Sequence, residues 1–330
     1  MRIVITGGAG FLGRRLADAL TARGTMAGSD GAPVRIREIV LVDTHACETP
    51  AAGPVLLTSV AADICDRDTM ANLITPETDS VFHLAAVVSA QAESDFDLGM
   101  KVNFDGTRNL LEICRNLARP IKFVTTSSVA SFGGDLPPVV PDGFAQMPEN
   151  SYGTQKAMSE LLVNDYSRRG FVDGRIIRLP TIVVRPGKPN AAASSFASSI
   201  FREPLQGQRA ICPVNADMPV WLMSPRRAVE SLVQAHELVL DQSVANRSFS
   251  LPGISLTVGE MVEALKRVGG AEVVARVDWK YDQKTSEIVS GWPGAFEATR
   301  ALAMGFKADD SMDAIIQAFI EDDMVPAAVT

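Results

Sequence analysis

The chain has 330 residues, of which 46% are hydrophobic and 21% charged, as is ordinary for a globular protein with one large or two linked domains. Its net charge of −8 argues against nucleic acid and anionic membranes as partners, because both require a basic face. No apolar run reaches the roughly 18 to 20 residues that span a bilayer, and the first residues do not have the pattern of a signal peptide, so we expect a cytoplasmic protein.

The four cysteines and three histidines are scattered along the chain, at Cys47, Cys65, Cys114 and Cys212 and at His45, His83 and His236. No pair has the close spacing of a metal clip or of a disulfide framework. We therefore expect free thiols in a reducing compartment and no bound metal ion.

Strands and helices alternate along the first half of the chain. A short apolar run at 2–6 is followed by a glycine cluster and a helical pattern at 11–24. Further strands are predicted at 38–43, 55–63, 80–86 and 121–128, further helices at 66–74 and 97–117, and a loop at 28–33. Apolar strands that alternate with helices predict an α/β fold with a doubly wound parallel sheet, which binds its ligand at the carboxyl ends of the strands.

The pattern changes near residue 180. Loops are predicted at 185–196 and 202–219, and helices at 225–240, 257–269 and 310–322. We interpret 181–330 as a smaller α/β region beside a first domain at 1–180, although some of its segments could return to the first domain.

A glycine turn joins the first strand to the first helix. Gly7, Gly10 and Gly13 follow the spacing G-x-x-G-x-x-G, which permits a tight turn and a close approach of the backbone to a pyrophosphate. The first helical turn, with Phe11, Leu12 and Gly13, would then face the negative charge of a dinucleotide. Glycine turns of this kind are common, so the spacing alone leaves a purely structural turn open.

Asp43 closes the second strand of the predicted sheet, where a carboxylate can accept hydrogen bonds from the adenosine ribose. The same carboxylate would repel the 2′-phosphate of NADP, so the sequence predicts NAD as the cofactor. Asp63 and Ile64 follow the next strand and are candidates for binding the adenine. For Asp63, capping of the helix that begins near residue 66 is the alternative.

Tyr152 and Lys156 are four residues apart in a predicted helix and therefore share one face. An ammonium beside a phenol favours the phenolate, which can take the proton of an alcohol while hydride leaves its carbon. A Tyr/Lys pair at helical spacing is by itself common. Its position after a glycine turn and after the hydroxyl cluster at 125–128 makes the combination specific.

In these motifs the chain resembles the extended class of the short-chain dehydrogenase/reductase superfamily, which is also called the NAD-dependent epimerase/dehydratase family. The motifs are TGGAGFLG at 6–13, HLAA at 83–86, NFDGT at 103–107, SSVASFG at 127–133 and YGTQK at 152–156. The resemblance covers essentially the whole chain. It implies a Rossmann-type first domain that binds NAD and carries the catalytic residues, and a second domain that mainly binds the substrate.

The resemblance also implies roles for individual residues. Tyr152 would be the acid/base, and Lys156 would bind the nicotinamide ribose and tune Tyr152. Ser128, five residues before Gly133, would hydrogen-bond the reacting oxygen; Phe132 stands where the family usually has a tyrosine. The remaining residues assigned to the cofactor are Leu84, Ala85 and Ala86 beside it, Asn103 as a helix residue that supports the loops beneath it, and the backbone of Pro180 and Thr181.

The other hydroxyls of the cluster have simpler expected roles. Thr125 and Thr126 should finish the strand, and Ser127 should bond the backbone locally.

The resemblance also implies a substrate with one carboxylate, which the second domain would bind. SPRR at 224–227 stands where the family commonly has an acidic pair. With RPGK at 185–188 and SSFASSIFREPLQG at 194–207, the region resembles dehydrogenases of short sugar acids such as D-erythronate. Arg185 and Arg227 are candidates for binding the carboxylate, with Arg226 and Lys188 behind them, unless they are surface residues. Ser194 could contact substrate hydroxyls or cap a helix, and Trp221 could form a wall of the pocket or pack in the core.

Together these features predict an NAD-dependent oxidoreductase that oxidises the C2 hydroxyl of a short sugar acid to a 2-keto acid, with Tyr152 as the base. A nucleotide-sugar epimerase or dehydratase is the alternative; an epimerase would return the hydride and release no NADH. A non-catalytic NAD-binding regulator is a further alternative, although such proteins usually lack the Tyr/Lys pair.

The resemblance further implies a homodimer formed through the helix of Tyr152 and the helix at 99–117. The apolar positions of the latter are Leu110, Leu111, Ile113, Cys114 and Leu117. They could equally face the core of their own chain.

Overall fold

The computed structural model describes residues 1–50, 53–187, 194–241, 244 and 246–324. Within them the chain forms two compact units. The first unit comprises Met1–Ser131, Ser151–Arg178 and Val229–Phe249, and the second comprises Phe132–Asn150, Leu179–Ala228 and the residues from Ser250 onward.

The strands, in chain order, are β1 Arg2–Thr6, β2 Thr25–Ala27, β3 Pro33–Arg35, β4 Glu38–Asp43, β5 Leu56–Ala61, β6 Ser80–His83, β7 Lys122–Ser128, β8 Asp173–Leu179, β9 Thr181–Ile182, β10 Ala210–Cys212, β11 Pro219–Met223, β12 Ser248–Ser250, β13 Ile254–Thr257 and β14 Val277–Trp279.

The helices are α1 Phe11–Arg23, α2 Arg67–Leu73, α3 Ser89–Ser94, α4 Phe96–Gly99, α5 Thr107–Arg115, α6 Ser151–Arg168, α7 Ser195–Leu205, α8 Pro225–Glu237, α9 Val258–Gly269, α10 Ala271–Val274, α11 Gln283–Ser290, α12 Thr299–Ala303 and α13 Met312–Phe319. Short π-helical segments cover Met100–Gly106 and Ile320–Met324, and a 3₁₀ turn covers Val129–Ser131.

The first unit is built on a seven-stranded sheet in the order β12-β8-β7-β6-β1-β4-β5. The pairings from β5 through β4, β1 and β6 to β7 are parallel. The strand order reverses between β1 and β6, which is the point where a doubly wound sheet binds its ligand. The predicted α/β fold with a Rossmann-type parallel sheet is confirmed.

The apolar face of α5 belongs to the core of the first unit. Leu110, Leu111, Ile113 and Cys114 are buried there, and Leu117 packs against the same cluster. Of the two interpretations of these residues, the core-facing one is observed, so they give no support to a dimer interface.

The second unit has short strands, with β13-β11-β9 in one sheet and β10-β14 in another. Its core includes Phe201, Leu222, Met261 and Ile316, each fully buried. The prediction of loops over 185–196 and 202–219 is wrong where α7 and β10 occur. The apolar residues of α7 recur at helical spacing and are buried, and the helix ends one residue after Pro204, which lacks a backbone N–H for the helical ladder.

The predicted loop at 28–33 connects a small hairpin, β2–β3, whose strands pair in antiparallel fashion. The predicted helix at 97–117 is a succession of α4, the π-helical segment Met100–Gly106 and α5. None of the helices in the part of the chain that the structure describes is both long and apolar enough to cross a membrane. The cysteines are free thiols, two of them buried.

Candidate active site

The turn between β1 and α1 is packed so closely that its glycines leave no space for a Cβ atom. A Cβ on Gly13 would lie 2.3 Å from the carbonyl oxygen of Gly7, and one on Gly7 would lie 2.7 Å from the backbone nitrogen of Ala85. Gly7 also has a φ of +70°, a left-handed conformation that other residues rarely adopt. The turn therefore requires glycine at these positions, and Gly10 beside them is exposed.

The N-terminus of α1 has the geometry of an anion site. Its N-cap is Gly10, which offers no side-chain oxygen to the helix, and the first bond of the helical ladder runs from Arg14 N to Gly10 O. The N–H groups of Phe11, Leu12 and Gly13 precede that bond, and the helix dipole places positive charge at the same end. A pyrophosphate group fits these donors.

Asp43 lies directly beside this turn. Its Oδ2 accepts a hydrogen bond from the backbone nitrogen of Ala9 at 3.1 Å, and its Oδ1 accepts one from the nitrogen of Thr44 at 2.8 Å. The hairpin inserted before β4 lengthens the interval in sequence, but the contact with Ala9 brings the carboxylate beside the glycine turn. Its contact with the adenosine ribose stays a prediction.

Asp63 and Ile64 follow β5. The Oδ1 of Asp63 accepts a hydrogen bond from the nitrogen of Cys65 at 2.9 Å, and its Oδ2 lies 3.7 Å from Nζ of Lys101. The N-cap of α2 is Asp66, whose side chain accepts from the helix backbone. Helix capping is therefore not the role of Asp63. The adenine contacts of Asp63 and of the buried Ile64 stay predictions.

The loop after β6, which carries residues 84–86, is held at both ends. Leu84 N donates to the carbonyl of Thr6 at 3.1 Å, at the carboxyl end of β1. At the other end, Asn103 forms two bonds with the backbone of Val87, its Oδ1 accepting at 2.8 Å and its Nδ2 donating at 3.0 Å. The side chain of Asn103 thus fixes the loop that is predicted to lie against the cofactor.

A buried chain of hydrogen bonds crosses the switch point of the sheet. Thr107 Oγ1 donates its one proton to the carbonyl of Asn103 at 2.7 Å, so it accepts from Nε2 of His83 at 2.9 Å. Nδ1 of His83 is then the acceptor for Thr6 Oγ1 at 2.7 Å. Burial, with the nearby charge of Lys156, lowers the pKa of His83 to about 3, so the imidazole is neutral.

The predicted catalytic residues of the first unit are Ser128 at the end of β7 and Tyr152 and Lys156 in α6. The Nζ of Lys156 donates to the carbonyl of Thr126 at 3.0 Å and lies 5.7 Å from the centroid of the Tyr152 ring. Burial lowers the pKa of Lys156 to about 8, and the carboxylate of Glu160 opposes that decrease. A cation in this position favours the phenolate form of Tyr152.

The hydroxyl cluster differs from the prediction in two respects. β7 continues through Thr125 and Thr126 to Ser128, so these threonines lie within the strand. Ser127 does not bond the backbone locally, because its Oγ donates to Oε1 of the buried Glu160 at 2.5 Å. Side chains alternate along a strand, and that of Ser127 reaches a carboxylate of α6 that needs donors. Ser128 is half-buried, and its Oγ accepts from the nitrogen of Ala130 at 3.1 Å.

The predicted contacts of the second unit begin in β9. Pro180 is buried, and Thr181 pairs with Leu222 of β11. Arg185 follows this strand, and α7 holds its backbone: its nitrogen donates to Ser198 Oγ at 3.1 Å, and its carbonyl accepts from Nη1 of Arg202 at 2.8 Å. Because no helix was predicted at α7, whose two ends fall in the predicted loops 185–196 and 202–219, the sequence did not indicate either of these supports.

Ser194 occupies the N-cap position of α7, but its side chain makes no capping hydrogen bond there. The capping alternative is therefore not observed, and its contact with a substrate hydroxyl stays a prediction. Lys188, a further basic candidate near Arg185, lies outside the described residues.

Arg227 lies in the first turn of α8, and Asp309 fixes the start of that helix. Ser224 donates to Asp309 twice, from Oγ at 2.6 Å and from its nitrogen at 2.8 Å. The same Oγ accepts from the nitrogen of Arg227 at 3.0 Å. Asp309 is far away in the sequence, and no local motif indicated it.

The neighbouring Arg226 has a different role. It is 44% exposed and forms ion pairs with Asp322 at 2.6 Å and Glu321 at 2.9 Å. These carboxylates raise the pKa of the Arg226 guanidinium. Of the two adjacent arginines, Arg227 therefore remains the candidate for the substrate.

Trp221 and Phe132 are core residues of the second unit. Phe132 meets Phe296 edge to face at 5.2 Å, and Trp221 lies 6.1 Å from the same ring. The Nε1 of Trp221 donates to the carbonyl of Leu251 at 3.1 Å. For Trp221 the core alternative is thus observed, and the ring of Phe132 fills an apolar cluster in which a tyrosine hydroxyl would need a partner.

Comparison with known families decides the assignment. The model of the NAD dependent epimerase/dehydratase family matches residues 3–249. The chain belongs to this family. The resemblance predicted from the sequence motifs is confirmed, and the predicted cofactor, NAD, is the one on which the family depends.

Other family members are similar to the chain over nearly its whole length. The D-erythronate dehydrogenase of Cupriavidus necator is 53% identical over 322 residues, which cover 98% of each chain. That of Haemophilus influenzae is 45% identical over 324 residues, covering 98% of this chain and 100% of that protein. Among solved structures, a nucleoside-diphosphate-sugar epimerase from Agrobacterium tumefaciens has a TM-score of 0.91 and 43% identity, with coverage of 98% of this chain and 94% of that one.

The family's cofactor fits the residues that the structure places at the switch point. The glycine turn, the N–H groups of α1 and the carboxylate of Asp43 provide a backbone cradle, positive charge and a hydroxyl acceptor in succession. Among the residues described, no cluster of three or more His, Cys, Asp or Glu side chains could hold a metal ion.

Proposed function

We propose that this protein is an NAD-dependent dehydrogenase that oxidises the C2 hydroxyl of a D-erythronate-like aldonate to a 2-keto acid. The observation that carries the proposal is the 53% identity, over 98% of each chain, to a D-erythronate dehydrogenase. A second relative of the same name matches with similar coverage. The residues that we assign to the reaction are Ser128 at the end of β7 and Tyr152 and Lys156 in α6.

In this proposal Tyr152, as the phenolate, takes the proton of the C2 hydroxyl. Ser128 donates a hydrogen bond to the same oxygen as it becomes a carbonyl. Lys156 supports the phenolate with its ammonium, which the Thr126 carbonyl holds in place. Bound NAD would accept the hydride from C2. Tyr152 and Lys156 also take part in binding the nicotinamide ribose.

The substrate contacts belong to the second unit. We assign the carboxylate of the aldonate to Arg185 and Arg227, because a guanidinium can hold a carboxylate with two parallel hydrogen bonds. The backbones of both arginines are anchored, by α7 and by the Ser224–Asp309 pair respectively. Ser194 is the candidate for a substrate hydroxyl, and Pro180 and Thr181 for backbone contacts with the carboxamide.

A second function has a specific observation in its favour. The Agrobacterium tumefaciens protein with a TM-score of 0.91 is a nucleoside-diphosphate-sugar epimerase by its description. An epimerase would use the same Tyr/Lys pair but return the hydride to the sugar. The two activities therefore differ in their release of NADH.

The deciding experiment is a screen for NADH release with four- to six-carbon aldonates and uronates, and with UDP- and TDP-sugars in parallel. We expect stoichiometric NADH from D-erythronate or a close stereoisomer and no reaction with the nucleotide sugars. Conversion of a nucleotide sugar without net NADH would establish the epimerase instead. Tight NAD binding without turnover of any compound would favour a regulator.

The homodimer and the cytoplasmic location stay predictions. Sedimentation of the purified protein tests the first, and fractionation of cells that produce it tests the second. A monomer at micromolar concentration would contradict the expected dimer.

A further inference from the structure

Glu160 lies on the same face of α6 as Tyr152 and Lys156, each four residues from the next. Its side chain is 2% exposed, and that of Lys156 is also buried. Burying a carboxylate so deeply destabilises the fold unless other groups donate hydrogen bonds to it. Removing one partner of a buried ion pair also destabilises a protein more than replacing the whole pair by apolar residues. The position of Glu160 beside the predicted catalytic pair therefore needs a reason.

The carboxylate of Glu160 connects α6 to two strands of the sheet. Ser127 of β7 donates to its Oε1 at 2.5 Å. Arg178 of β8 donates from Nε to both oxygens, at 3.1 and 3.0 Å, and from Nη2 to Oε2 at 2.7 Å. This is the forked arrangement in which a guanidinium fixes the orientation of a carboxylate.

These contacts alternate with those of the predicted catalytic residues along β7. The carbonyl of Thr126 binds Lys156, and the hydroxyl of the following residue, Ser127, binds Glu160. Ser128 comes next in the strand and is the predicted partner of the reacting oxygen. Consecutive residues of one strand are thus tied to one face of one helix. A change in either contact would move Ser128 relative to α6.

We propose that Glu160 is a positioning residue, which through Ser127 and Arg178 sets the separation between Ser128 and the Tyr152/Lys156 pair, and whose charge supports the ammonium form of Lys156. This inference rests on the proposed function, because the positioning role is defined for that dehydrogenase reaction. The contacts themselves are independent of the substrate.

The charges around Lys156 give this role a measurable signature. The groups that face it are Tyr152 and Glu160 from α6 and the neutral His83 from β6, while Arg178 of β8 acts through Glu160. Burial lowers the pKa of Lys156 to about 8. Loss of the Glu160 charge should lower the pKa of Lys156 further, because the ammonium loses the anion that favours its charged form.

The test compares Glu160→Gln with Asp165→Asn, a matched change at an exposed carboxylate of the same helix that pairs with Arg168. For Glu160→Gln we expect kcat to fall at least about tenfold and the basic limb of its pH profile to move down by about one unit. Asp165→Asn should match the wild type in both. Glu160→Asp keeps the charge but shortens the reach, so it should retain the wild-type pH profile with a reduced kcat. A wild-type kcat and pH profile in Glu160→Gln would overturn the proposal.

If Glu160→Gln does not fold, Ser127→Ala tests the proposal instead. This change removes one hydrogen-bond donor to Glu160 and leaves the ion pair between Glu160 and Arg178. We expect it to lower kcat about three- to tenfold, as the loss of one positioning hydrogen bond does, with little change in KM. An unchanged kcat would then reject the positioning role.

The pH dependence of NAD binding is measured on the same variants. It separates failure of this inference from failure of the proposed function, because it requires no substrate. If the wild type oxidises no aldonate, a shift of the binding midpoint to lower pH in Glu160→Gln but not in Asp165→Asn still supports the inference. If Glu160→Gln shows no such shift, the positioning role of Glu160 is contradicted.

Discussion

The described contacts of the predicted functional residues involve side-chain groups in the first unit and include the backbone in the second. In the first unit, buried or half-buried contacts hold the functional groups themselves, as with the Lys156 ammonium and the Asp43 carboxylate. In the second unit, side chains of neighbouring residues hold the backbone of Arg185 and Arg227. Hydride transfer requires that the reacting atoms be positioned with a precision of a fraction of an ångström. A substrate can be selected by side chains on an anchored backbone. The difference suggests that chemistry and selectivity can be altered separately.

Tyr152→Phe is the change with the largest expected effect, because it removes the only group proposed to take the proton. We expect kcat for the aldonate to fall by about 10² to 10⁴, the usual contribution of a general base, with NAD binding largely retained. The measurement is NADH release together with a fluorescence titration of NAD. Tyr166→Phe is the control, since Tyr166 lies on the same helix and bonds Glu112 instead. Near-normal turnover in Tyr152→Phe would contradict the role of Tyr152 as the base.

Arg227→Gln tests the other side of the comparison. Loss of a charged hydrogen bond to a carboxylate costs about 1.5 to 3 kcal/mol, so kcat/KM for the aldonate should fall about 10- to 100-fold while NAD affinity is unchanged. The matched control is Arg226→Gln, because Arg226 pairs with surface carboxylates and should have little effect. If the two variants behave alike, Arg227 does not bind the substrate.

Gly13→Ala should weaken the cofactor site without touching the substrate residues. A Cβ at this position meets the carbonyl oxygen of Gly7 at 2.3 Å, and relief of such a clash typically costs about 1 to 3 kcal/mol. We expect NAD affinity to fall about tenfold and KM for the aldonate to change less. Gly143→Ala serves as the control, since nothing lies within 4 Å of the added carbon. Equal losses in the two variants would contradict the assignment of the turn to NAD.

Much of the first unit could be predicted from the sequence because its signals are local. Five of the seven strands of its sheet, β1 and β4 to β7, were predicted from short runs in the sequence, and Gly13 and Lys156 each lie in a short motif. The supports of the site could not be predicted in this way. Ser127 meets Glu160 across 33 residues and Ser224 meets Asp309 across 85, and no spacing rule predicts such pairs.

The second unit was harder to predict because its elements carry mixed signals. The serines and Pro204 of α7 are typical of loops, and β10 is three residues long. Its helices α8, α9 and α13 were nevertheless predicted near their observed positions, since their apolar residues recur at helical spacing. The candidate substrate residues were predicted from resemblance more than from sequence pattern.

Acid should affect the two units unequally. All the histidines lie in the first unit, and burial lowers the pKa of His83 to about 3 and of His236 to about 4. Both are neutral when folded, whereas an unfolded histidine binds a proton below about pH 6.5. The unfolded first unit therefore holds more protons as the pH falls from 6.5 toward 4, and its free energy of unfolding decreases across this window. In the second unit, the carboxylates with lowered pKa are on the surface, where ion pairs contribute little.

The tryptophans allow this difference to be observed, because Trp221, Trp279 and Trp292 all belong to the second unit. On acidification, amide exchange in the first unit should accelerate at a higher pH than that at which tryptophan emission changes. His236→Gln should move this onset to lower pH, since the replacement does not titrate. His45→Gln, at an exposed histidine, should leave it unchanged. A simultaneous transition by both probes would mean that the units unfold as one, and that their different anchoring does not extend to their stability.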